Sequence, residues 1–120
     1  MTDNIIKVKS FSFALRIIKL FQFLKDEKKE FVLSKQLLRS GTAIGALVRE
    51  AEQAESKKDF IHKLAIAQKE ANETDYWLDL LYQSGYFNDF QYQSIKSDVV
   101  EINKILASMI ITSKKKLNTK

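Results

Sequence analysis

The sequence predicts an all-α protein folded as an antiparallel up-down-up-down four-helix bundle, and three observations carry that prediction. Proline is absent and only three glycines occur in 120 residues, so the residue types that most often interrupt helices are nearly missing. Four apolar stripes recur with alternating spacings of three and four, the period of one helical face. The connections between them are about six residues or fewer, which sets consecutive helices side by side and antiparallel. With 45% apolar and 29% charged residues, residues 1–120 suit a single globular domain with one shared core, not a disordered chain.

The first helix is expected over roughly residues 10–28, on the stripe Ala14, Ile17, Phe21 and Leu24, widened by Phe13 and Leu20. Just upstream, Ile6 to Phe13 alternates with period two, and a short strand competes there, although it would find no partner strand in this chain. The second helix, 34–54, carries Leu37, Gly41, Ile44, Val48 and Ala51, with Ser34 as its N-cap. The third, 57–84, carries Phe60, Leu64, Ala67, Ala71, Thr74, Leu78 and Leu81. Ser56 and Asp59 open it as a capping box with aspartate in place of glutamate, and Gly85 ends it in a left-handed C′ conformation. Asn88, with Gln91 three residues on, starts the fourth helix, 89–116, whose stripe is Ile95, Val99, Ile102, Leu106 and Met109.

The side chains needed for catalysis are scarce. No cysteine is present, and His62 is the only histidine, so neither a serine triad nor a three-histidine zinc site can form in one chain. Asp59 and His62 have the spacing of half a di-metal motif, but the second half is missing. Glu70 and Glu73 share a stripe with Ile66 and Trp77. Arg39 on the second helix falls near the level of residue 72, so an Arg39–carboxylate ion pair is expected there in preference to an acid/base pair. No enzyme activity, cofactor or metal is expected. Gly41 and Gly45, with Ser40, Ala43 and Ala46, form a small-residue surface suited to close helix packing or to a subunit contact. Trp77 belongs to an aromatic group, Tyr76 to Tyr92, that suits either one end of the core or an interface.

Charge is unevenly distributed. Residues 1–40 hold nine basic and four acidic side chains, residues 41–103 six and eleven, and residues 104–120 five and none. In an up-down bundle the first and fourth helices are neighbours. Lys9, Arg16, Lys19 and Lys25 should then share a basic face with Lys104, Lys114, Lys115 and Lys116, fit for RNA or DNA phosphates. Lys57 and Lys58, assigned to the acidic side, should contribute less. Residues 1–10 lack a continuous apolar run, so no signal peptide is read, and no stretch approaches a membrane span; a cytoplasmic protein is expected.

The run from Ser34 to Leu81 also carries a resemblance. Leu33-Ser34-Lys35-Gln36-Leu37-Leu38-Arg39-Ser40-Gly41, then Arg49-Glu50-Ala51, then Ser56-Lys57-Lys58-Asp59-Phe60 resemble the bacterial four-helix-bundle proteins encoded by intervening sequences in 23S ribosomal RNA genes. Leu64-Ala65-Ile66-Ala67, Glu70, Glu73 and Tyr76-Trp77-Leu78 extend the match. The superfamily includes the accessory variability determinant proteins of diversity-generating retroelements. The resemblance implies a four-helix bundle assembled as a homopentamer and no enzymatic activity. The retroelement branch adds binding of nucleic acid and of a reverse transcriptase; for the intervening-sequence branch, a nonenzymatic, nucleic-acid-associated oligomer is the expectation. An adaptor bundle that binds only protein is the alternative. The family pattern would place an asparagine after Gly45-Ala46, where this chain has Leu47.

Overall fold

A computed structural model describes residues 2–118. It contains four helices, α1 (Thr2–Asp26), α2 (Leu33–Glu52), α3 (Lys57–Gln83) and α4 (Asp89–Asn118), and no strand among the described residues. They form a rod with extents of 54 × 22 × 20 Å. Each helix packs on its sequence neighbours, α4 returns beside α1, and the diagonal pairs do not approach. The α1–α4 seam is the sparsest of the four.

Cross-helix pairs fix the directions. Arg39 meets Glu73 while Glu50 meets Lys63, so α2 and α3 run antiparallel. Asn72 meets Asn103 while Asp79 meets Lys96, and Lys9 meets Glu101 while Arg16 meets Asp98, so α4 opposes both α3 and α1. Gly41 approaches Ile17 and Gly45 approaches Ser10, which opposes α2 to α1. The topology is up-down-up-down.

Every member of the second and fourth stripes is buried, as are Leu64, Ala67, Ala71, Thr74, Leu78 and Leu81 of the third. The first helix differs from expectation. It begins at Thr2, a little over two turns early, and absorbs the strand candidate. The alternation arose because α1 is apolar on two opposite faces. Ile6, Ser10, Phe13, Ile17 and Leu24 point inward, while Ile5, Val8, Phe11, Leu15 and Ile18 point to solvent. Two interleaved stripes of helical period imitate a period of two.

The helix ends contain one correction. Ser34 is not the N-cap of α2; it lies buried inside the helix, and the cap residue Val32 contributes no side-chain bond. The Glu30 carboxylate does the capping, accepting from the backbone N–H groups of Val32 (3.2 Å), Leu33 (3.0 Å) and Ser34 (2.7 Å). A carboxylate can satisfy three orphan donors at once and is favoured by the helix dipole, so it outcompetes a hydroxyl. Ser56 caps α3 through the Asp59 N–H, and Asn88 and Gln91 exchange side chain-to-backbone bonds at the start of α4. Gly85 sits at φ 87°, with Tyr86 N–H donating back to the Leu81 carbonyl in a Schellman closure.

Candidate nucleic-acid interface

The cations expected to form one face fall into two groups. From Ile5 to Lys25, α1 carries five cations and no acid, yet most of them are matched by neighbouring helices. Lys9 Nζ lies 3.1 Å from Glu101 Oε1, and Lys7 Nζ lies 3.3 Å from Glu52 Oε1. Arg16 donates to Asp98 Oδ2 at 2.5 Å and to Ser94 Oγ at 2.8 Å, which uses both ends of its fork. Lys25 approaches Asp26 at 4.0 Å and lies over the Phe21 ring. The α1 part of the predicted stripe is therefore largely neutralised, because α4 places acids opposite it. Lys19 lies in a 360 Å³ groove between α1 and α4, beside Phe23 and Phe90, the latter 82% exposed.

The second group collects at one end of the rod. Because α3 and α4 are antiparallel, the first turn of α3 meets the last turns of α4. A 480 Å³ groove there is lined by Lys57 and Lys116, with Ser56, Ser113, Glu52 and Phe60. Lys58, Lys114 and Lys115 are exposed at the same end. Basic residues in the last turn of α4 offset the negative end of its dipole, and the first turn of α3 presents the positive end of another. Lys57 and Lys58 thus lie beside the α4 lysines, at an end that also holds Glu52, Glu55 and Asp59. Net charge per segment could not reveal this; pairing the start of one helix with the end of the next could. Lys104 is exposed midway along α4.

The other predicted residues are structural in their surroundings. Arg39 Nη2 lies 2.7 Å from Glu73 Oε2, which also accepts from the Trp77 indole N–H at 3.1 Å. Arg39 is 60% exposed, which limits the pair to about 1 kcal/mol. Glu70 stays out of it, and its buried Oε1 has no hydrogen-bond partner. Leu47 packs against the core. A Cβ on Gly41 would stand 2.8 Å from Ile17 Cγ1, and one on Gly45 3.4 Å from the Ser10 carbonyl, so both glycines serve close α1–α2 packing within one protomer. Tyr76 and Trp77 meet edge to face at 5.1 Å. His62 is exposed, and the described residues hold no group of three or more potential metal ligands among His, Cys, Asp and Glu.

Sequence reasoning missed a polar seam between α3 and α4. Lys96 Nζ bridges Asp75 (2.5 Å) and Asp79 (3.0 Å), Tyr92 donates to Asp79 at 2.5 Å, and Tyr82 stacks on Tyr92 at 4.0 Å. Burial pushes the Asp79 carboxyl up, but the Tyr92 and Lys96 donors outweigh it and hold it below its ordinary value. Burial likewise opposes the charge on Lys96, and the two aspartates override it, raising the ammonium above the usual lysine range. All of these groups hold one another in place.

Fold and site together define an all-helical bundle that carries a concentrated basic end. The chain belongs to the family described as 23S rRNA-intervening sequence protein, whose model matches residues 2–108. A solved structure from Bacteroides thetaiotaomicron VPI-5482, a protein of unknown function from the S23 ribosomal protein family, is 61% identical. It covers 92% of this chain and 98% of its own, with a TM-score of 0.91. A search of curated proteins gives no match. No described helix is long and apolar enough to cross a membrane.

Proposed function

We propose that this chain is a nonenzymatic, self-assembling protein that holds RNA or DNA phosphates at the basic end of its bundle, in the cytoplasm. The observation that carries the reading is the convergence of Lys57, Lys58, Lys114 and Lys116 at that end. None of the four makes an ion pair among the described residues. Their charge is available to phosphates, unlike that of Lys9 and Arg16, which is matched inside the protomer. Membership of the 23S rRNA-intervening sequence family supports an association with nucleic acid, and the family resemblance makes a ring of five copies the expected assembly. A ring would repeat the basic end around one axis and multiply its field.

Affinity for an RNA hairpin and a DNA duplex, measured between about 50 and 200 mM salt, tests the reading, since multi-phosphate binding falls by orders of magnitude over that range. Lys57→Glu and Lys116→Glu should each weaken binding and flatten the salt dependence. Lys9→Glu should change it little. Absence of binding at the lowest salt would sink the reading. The adaptor alternative is favoured by the outward face of α1, an apolar surface suited to protein and not to phosphate; a reverse transcriptase is one such partner by resemblance.

A further inference from the structure

The groove between the end of α1 and the start of α4 lies toward the opposite end of the rod from the Lys57–Lys116 groove and differs from it in kind. Phe90 forms part of its wall and is 82% exposed, more than any other large apolar side chain described. The core at this end does not use it, since Leu81, Phe87 and Ile95 are buried there while Phe90 faces water from the first turn of α4. Leu20 and Phe23 line the groove from α1. A single exposed phenylalanine is ordinary on a protein surface. Here it is one of two aromatic rings in a 360 Å³ recess, within the range of roughly 300–1,000 Å³ usual for small-ligand sites.

The polar groups of the recess identify its occupant. Lys19 is exposed one turn before Phe23 on the same face of α1, and it has no ion-pair partner among the described residues. The Gln91 side-chain oxygen accepts from the Asn88 N–H at 2.9 Å, which leaves its amide NH2 without a partner among the described residues. No carboxylate lines the groove. Asp98 is matched by Arg16, and Asp89 accepts from the Tyr82 hydroxyl on α3. An inorganic phosphate needs no aromatic wall, and an aliphatic peptide side chain needs neither a cation nor an amide. A duplex keeps its bases inside the stack, out of reach of a ring on the protein. An unpaired base uses every part: its π-face lies on the ring, its phosphate meets the cation, and its edge accepts from the amide. We propose that this groove is a stacking site for one unpaired base of single-stranded RNA or DNA, with Phe90 as the platform and Lys19 on the adjoining phosphate. The proposal rests on the reading that the chain binds nucleic acid, and it adds a site that separates unpaired from paired strands. Along α4, Gln91 and Lys116 are about 38 Å apart, so this site and the basic end are distinct.

Fluorescence anisotropy of the full chain with a labelled oligothymidylate, an abasic strand of equal length and a blunt duplex tests it. Loss of a stacking ring weakens binding by about five- to 150-fold per base. Phe90→Leu, which keeps the apolar bulk and removes the ring, should weaken oligothymidylate binding by a factor in that range, and Phe90→Tyr should retain it. Neither the abasic strand nor the duplex should respond to Phe90→Leu, because neither presents a base to the ring. Lys19→Gln should lower the salt slope for the oligothymidylate by about 0.7. Phe31→Leu, at an exposed ring outside the groove, should match the wild type. The helical circular dichroism should persist in every variant, since all three side chains are exposed. If the oligothymidylate binds but ignores Phe90→Leu, or the abasic strand loses as much as the oligothymidylate, the stacking site is wrong and the groove is left to a protein partner. The basic end would then still stand or fall by its own Lys57→Glu and Lys116→Glu variants. Thymidine monophosphate binding as tightly as the strand would give the groove to a free nucleotide and equally overturn the proposal. No binding of any nucleic acid at the lowest salt would remove both this inference and the reading it rests on.

Discussion

Gly41 shows how much one missing methyl group can determine. A Cβ at this position would meet two carbons of Ile17 at 2.8 and 2.9 Å, closer than real contacts allow. Ile17 is fully buried and β-branched, so it has little freedom to move aside. Gly41→Ala should therefore destabilise by about 1–3 kcal/mol, despite the gain of nearly 1 kcal/mol in helix propensity. Denaturant titration measures the difference; a stabilised variant would mean that α1 and α2 pack less tightly than the distances state. Sequence reasoning assigned both glycines to close packing or to a subunit contact, and the structure places them at the α1–α2 crossing. Spacing alone could not separate the two uses, because small residues serve both equally.

Helix stripes were the most legible feature, since α2, α3 and α4 each have one apolar face and one polar face, and Ser56, Gly85 and Asn88 mark the ends of α3 and the start of α4. The beginning of α1 was illegible for the opposite reason: apolar residues on two faces erase the period that marks either one. The Glu30 cap was hidden because glutamate is not the residue type expected to cap from before the helix. Burial pushes its carboxyl up, but donation from Leu33, Ser34 and Val32 N–H groups prevails and holds it below its ordinary value. A group depressed in this way contributes stability above the unfolded pKa of about 4.3 and loses it as pH falls through the folded value. Asp79 has the same sign. The raised Lys96 works in the other direction, with its contribution fully present below about pH 10.4 and lost only above that. The bundle should thus melt at a nearly constant temperature through neutral pH and fall in acid. Glu30→Gln should melt lower at pH 7 and show a shallower acid decline; an acid limb as steep as that of the wild type would remove Glu30 from the account.

At the scale of the whole molecule, the four seams are unequal. α1 is joined to α4 by the sparsest packing, and its Arg16 and Lys9 bridges lie at the surface, where each adds at most about 1 kcal/mol. Self-assembly of the folded chain would add to the stability that these seams provide. Anything that binds only the folded chain raises its stability by mass action. The melting temperature of the wild type should accordingly rise with protein concentration over a hundredfold range if the chain self-assembles. A concentration-independent wild type would count against the assembly reading. The basic end was only partly legible, because charge totals along the sequence miss what antiparallel helices bring together: Lys57 and Lys116 are 59 positions apart and line one groove.

The two apolar faces of α1 also matter before the chain has folded. The segment is made before α2 and α4, which do not yet exist to cover either face. Read as an extended strand, Ile6, Val8, Phe11 and Phe13 form the kind of β-prone apolar stretch that seeds intermolecular sheets. Lys7 and Lys9 interrupt that stretch with charge, as gatekeeper residues do. Once the bundle closes, the same two lysines find Glu52 and Glu101. They protect the nascent segment from its own kind first and tie it to its neighbours afterwards.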